Sequence, residues 1–204
     1  MRGLFTLFFV FVFSFGFGQE VVDLSTWQQK GNTADGTWTY DSANNTLTQT
    51  TNSSSGPALY VSDENFINKT ISGEIYVDTT SDDDMIGFVL GFEEPNVSSS
   101  NHYKFLLVDW KQGYQNESGY GLAKPEIRLI YYDVTSDDIK DPSDSYVIFW
   151  QTPPETDTWG VIDTYQPSPT FPDVNSSGGW EELRTIEFKA VYTEDNIKVF
   201  FDFG

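Results

Sequence analysis

The sequence predicts an all-β protein, an antiparallel sandwich or barrel. Short runs of β-branched and aromatic residues recur along the chain, separated by clusters of Gly, Pro, Asn, Asp and Ser. No stretch of ten or more residues repeats apolar positions at helical spacing. Aromatic residues make up 17% of the chain, and such large side chains suit a core closed between sheets. At 204 residues the chain has room for one substantial domain with a real core.

The first element is not part of the fold. Arg2, an apolar run from Leu4 to Phe15, and the small residues Gly16 and Gly18 read as a secretory signal peptide over 1–18, cleaved before Gln19. The run is too short to span a bilayer, and no later stretch approaches transmembrane length. The expectation is an exported mature chain, 19–204, that inserts into no membrane.

Strands are then predicted, in order, over 37–41, 46–51, 58–62, 72–79, 85–92, 102–110, 126–134, 145–151, 184–193 and 196–203. "MIGFVLGF" (85–92) is apolar at nearly every position and is expected to be a central strand covered on both faces. In "TIEFKAVYT", Ile186, Phe188, Ala190 and Tyr192 share one face while Glu187 and Lys189 turn away. Five prolines between Gln151 and Gly179 predict a long surface loop, and "TEDN" (193–196) a hairpin turn. The chain stops at "FFDFG", directly after an apolar strand that needs a partner, so the domain is expected to be truncated at its C-terminal end.

The chain has no cysteine, so no disulfide supports this fold; stability rests on core packing, on bound metal, or on both. The net charge of −20 repels nucleic acid and anionic lipid and favours cations.

Among candidate sites the first is the run Asp82, Asp83 and Asp84, between two predicted strands. Adjacent carboxylates raise one another's pKa unless a cation sits among them, and calcium takes six to eight hard oxygens. Alternation along the chain could bring Asp82 and Asp84 together while Asp83 diverges, unless the turn is tight. The spacing is not that of an EF-hand loop, and a solvated turn remains the other reading. Asp137, Asp138, Asp141 and Asp144 form a second acidic cluster, and Glu93 with Glu94 a third; both read as soluble turns. The single histidine, His102, opens a strand and leaves no basis for a nucleophilic triad or a His-rich zinc site. Glu74 and Asp78, four apart on one predicted strand, could serve as a glycosidase carboxylate pair. Trp159 and Trp180 flank the proline-rich stretch and are the tryptophans best placed for partial exposure and stacking on sugars, with core or loop-anchoring roles the favoured reading.

Taken as one string, "GEIYVDTTSDDDMIGFVLGF", a Ser-rich spacer and "HYKFLLVDWKQ" resemble the C-terminal domain of thrombospondins. The shared pieces are the acidic triplet at Asp82 to Asp84, "GFVLGF" (87–92), and the aromatic strand closing on Trp110, Lys111 and Gln112. Weaker likeness runs upstream through 56–66 and downstream through 122–134 and 178–192. The resemblance implies a jelly-roll β-sandwich of the concanavalin or L-type-lectin kind that binds Ca2+ and takes part in cell adhesion. It makes Asp82, Asp83 and Asp84 the expected metal ligands and an extracellular protein or glycan the expected partner. This chain departs from the family where Asp109 replaces an apolar residue, in the absent cysteine, and in lacking calcium-wire repeats before the domain. A carbohydrate-binding module, or less readily a glycoside hydrolase on the same sandwich, is the alternative; otherwise no catalytic residue is expected.

Overall fold

A computed structural model describes residues 20–31, 36–50, 58–95, 102–117, 121–135 and 159–204. The predicted signal peptide, the strand expected at 145–151 and the acidic cluster at 137–144 lie outside the described residues.

Among the described residues the protein is all-β, and every strand pairing is antiparallel. Four strands form the larger sheet: β6 (Met85–Glu93), β7 (His102–Lys111), β10 (Ile127–Thr135) and β11 (Trp159–Tyr165), in the order β11-β10-β7-β6. Three form the smaller: β5 (Lys69–Tyr76), β12 (Thr185–Tyr192) and β13 (Ile197–Asp202), in the order β13-β12-β5. The remaining strands pair in twos, β1 (Gln28–Gly31) with β4 (Ala58–Val61), β2 (Trp38–Asp41) with β3 (Thr46–Gln49), and β8 (Gln115–Glu117) with β9 (Gly121–Ala123).

The two larger sheets pack face to face, which makes the domain a β-sandwich. Period-2 alternation decides which side chains meet there. From the larger sheet come Phe88, Val108, Trp110 and Ile127; from the smaller, Ile186, Val199 and Phe201. Phe88 stacks on Phe188 at 4.3 Å, and Trp110 meets Phe201 at 6.2 Å. Glu187 and Lys189 are exposed on the outer face, as the alternation of β12 required. The larger sheet buries its other face as well, through Tyr103, Phe105, Leu107, Ile130, Tyr132 and Val134.

Three expectations need correcting. β6 is apolar on both faces, but it is the outer strand of its sheet; β7 and β10 are the central ones. Its apolar residues serve both clusters because the strand bulges between Leu90 and Glu93, where Gly91 takes a φ of 63°. The bulge turns Phe92 to the side of Val89, where it packs on Tyr103 and Phe105. Second, the proline-rich stretch is not loop throughout. "WGVIDTY" is β11, fitted between Pro154 and Pro167 with no proline inside, and it pairs with β10 across a bulge at Leu129/Ile130. Third, β5 begins at Lys69 and ends at Tyr76, three residues earlier at each end than the strand predicted over 72–79. The hairpin turn before β13 is present, with the Thr193 N–H donating to the Asn196 carbonyl at 2.9 Å.

Asp109 is buried and paired. It sits directly across from Arg128 on β10, accepting from Arg128 Nε at 2.8 Å and Nη2 at 2.5 Å. On its other side is Gly87, where any Cβ would drive into the Val108 carbonyl oxygen, so only glycine fits.

Candidate metal centre

The segment 77–84 leaves β5 and returns as β6, carrying the aspartate triplet along one end of the sandwich. Asp82 and Asp84 are half-buried and Asp83 is exposed. Asp83 does not diverge, however: one carboxylate oxygen from each of the three lies within 4.8 Å of the others. The convergence is built locally. Asp82 Oδ1 accepts the Asp84 N–H at 3.1 Å, a side-chain turn that an extended strand could not make.

Neighbours fix the backbone of the segment. Lys111, the last residue of β7, donates its ammonium to the Asp83 carbonyl and to Gln115 Oε1, the latter at 2.7 Å. The Asp84 carbonyl accepts from the Gln112 N–H at 3.3 Å and from the Trp180 indole N–H at 3.2 Å. Asn175 Nδ2 in turn donates to the Gln112 carbonyl at 2.7 Å.

Charge in the cluster is not balanced. Burial pushes the Asp84 carboxyl above its ordinary pKa, the Asp82 charge pushes it further, and Lys111 only partly offsets them. Burial also holds the Lys111 ammonium below its ordinary value, opposed by the three aspartates. Lys111 therefore offsets the three carboxylates only in part.

The donor set fits calcium. Oxygens coordinated at about 2.4 Å to one ion lie no more than about 4.8 Å apart, and carboxylates are the hard ligands calcium selects. Asp82, Asp83 and Asp84 would hold it through their side chains. The carbonyls of Asp83 and Asp84 are taken by Lys111, Gln112 and Trp180, so water would complete the shell.

The other candidates fall apart in space. Glu74 is exposed on the outer face of the smaller sheet, opposite Glu187. Asp78 lies beyond the end of β5, so the alternation meant to bring it to Glu74 stops at Tyr76. Trp180 is fully buried, in a core and loop-anchoring role rather than as an exposed sugar platform, because it closes the inter-sheet core and its indole is bonded to the triplet segment. Trp159 opens β11. Glu94 pairs with Lys30 at 2.7 Å. His102 Nδ1 lies 2.7 Å from Asp133 Oδ1, a partly exposed cross-strand pair where β7 begins. Sequence reading did not place Trp180, Asn175 or Gln115 beside the triplet. The only available signal was the string ending in Lys111 and Gln112.

No helix among the described residues is long and apolar enough to cross a membrane. Comparison with curated proteins and with solved structures returns no match. The family described as the thrombospondin C-terminal region, whose domains are extracellular and non-enzymatic, matches residues 33–135. That match spans half of the chain and runs through the triplet, the β6–β7 pair and β10, and the chain accordingly belongs to the thrombospondin C-terminal region family.

Proposed function

We propose that this chain is an exported calcium-binding β-sandwich module for cell adhesion or ligand binding, with an extracellular protein or glycan as its partner. The convergence of Asp82, Asp83 and Asp84 within 4.8 Å carries the reading. Calcium there would offset the burial and the carboxylate repulsion that together raise Asp84's pKa, and would fix the loop end of the sandwich that meets a partner. The signal peptide predicted over 1–18 and the net charge of −20 agree with work outside the cell and away from nucleic acid.

A thermal melt of the mature chain in calcium and in chelator tests it. Calcium at about a hundred times its Kd adds about 2.7 kcal/mol to the native state, a rise of about 5–10 °C for a domain of this size. Asp82→Asn with Asp84→Asn keeps the side-chain turn and removes two charges. This variant should lose the calcium shift and melt no lower than wild type in chelator, because Asp84's raised pKa means its ionised form destabilises the metal-free fold. A folded wild type that ignores calcium would leave the triplet a turn held by Lys111, Gln112 and Trp180 without an ion.

A further inference from the structure

The triplet segment is held at both ends by one distant stretch of chain. At its start the Leu183 N–H donates to the Val77 carbonyl at 3.2 Å; at its end the Trp180 indole N–H donates to the Asp84 carbonyl at 3.2 Å. Both donors belong to the loop between β11 and β12, about a hundred residues away in sequence.

That loop is itself tied down. Val174 bridges Trp180, and Asn175 Nδ2 donates to the Trp180 carbonyl at 3.0 Å as well as to Gln112. Gly179 lies so close to the Gln112 carbonyl that no side chain fits there. Trp110 Nε1 donates to the Gly178 carbonyl at 3.2 Å. Leu183 sits at a φ of 56° with its side chain exposed, a strained backbone for a bulky residue that persists only where its surroundings over-determine it.

From this arrangement we infer that Trp180 is a positioning residue for the cation site: its indole N–H fixes Asp84 and so holds three mutually repelling carboxylates in convergence. The inference rests on the calcium reading and adds a residue that never touches the ion. Three like charges a few ångströms apart would spread if their backbone were free. Asp84 resists because its carbonyl has two donors, the Gln112 N–H from the end of β7 and the Trp180 indole from the loop. By reciprocity, calcium at the triplet stiffens the 173–184 loop.

Calorimetric titration with calcium chloride separates the possibilities, using wild type, Trp180→Phe and Trp110→Phe. Phenylalanine keeps most of the buried ring and deletes the N–H. The loss of one buried hydrogen bond that acts only on the site should weaken calcium binding roughly tenfold in Trp180→Phe. Trp110→Phe, which loses a bond to the same loop but none to the triplet segment, should bind within about twofold of wild type. Wild-type binding with an unchanged Kd in Trp180→Phe, or equal losses in both variants, overturns the positioning role and leaves the calcium reading standing. No calcium binding by wild type overturns both. Should Trp180→Phe fail to fold, hydrogen exchange on wild type decides: calcium must slow exchange across 173–184, and unchanged exchange overturns the inference.

Discussion

Asp133 shows how a single partly exposed carboxylate enters the stability of this fold. Burial is the largest single influence and raises its pKa, but His102 and Lys104 together outweigh it and hold the carboxyl below the ordinary carboxylate value. A carboxylate with a lowered native pKa stabilises above its unfolded pKa of about 3.9, and the contribution vanishes as pH falls through the native value. Asp133→Asn should therefore melt about 1–3 °C below wild type at pH 5 to 7, the two curves converging toward pH 2. A constant gap at every pH would mean the carboxylate acts by packing instead. Residue-scale contacts divide by their reach along the chain. The triplet was legible because three adjacent aspartates stay neighbours in any fold. Trp180, 96 residues from Asp84, was legible only as a large aromatic side chain, and burial of its ring is what the sequence left open.

Between β7 and β10 the register is fixed by more than apolar alternation. Arg128 and Asp109 face each other inside the larger sheet, both nearly inaccessible, among Leu107 and Ile130. Desolvation lowers the Arg128 pKa and Asp109 more than restores it, so the guanidinium is charged at any accessible pH. Removing one partner leaves the other charge buried and uncompensated, which costs about 3–5 kcal/mol; replacing both with apolar residues is often neutral or stabilising. Urea midpoints should therefore fall steeply for Asp109→Leu and recover to near wild type in Asp109→Leu with Arg128→Met. A double variant as weak as the single would show that the pair sets the register as well as satisfying itself. At this scale the sequence located most strands to within a few residues, because turn residues and β-branched runs mark strands locally. It missed the short strands β1, β8 and β9 and also β11, which flanking prolines obscure, and it put β6 in the centre, because an apolar run records burial and carries no information about which neighbour pairs with it.

Across the whole molecule, the fold class was legible while the sheet order was not: alternation is a local property, and the pairing of β5 with β12, more than a hundred residues apart, is not. That pairing has an electrostatic consequence. It places Glu74 opposite Glu187, and the β12–β13 register places Asp202 on the far side of Glu187, so three carboxylates cross the smaller sheet in one exposed row. Like charges directly opposite destabilise a sheet, and here they add to a net charge of −20. Salt shortens the screening length from about 10 Å at 0.1 M to about 3 Å at 1 M, so the row should weaken the fold most in dilute buffer. In chelator, where the triplet cannot confuse the reading, the melting temperature should rise as sodium chloride is raised. Glu187→Lys should melt about 1–3 °C above wild type in dilute buffer, and the advantage should shrink as salt is added. An advantage that persists at 1 M would point to β-propensity or packing at position 187 rather than charge. A variant less stable than wild type in dilute buffer would remove the repulsion argument altogether.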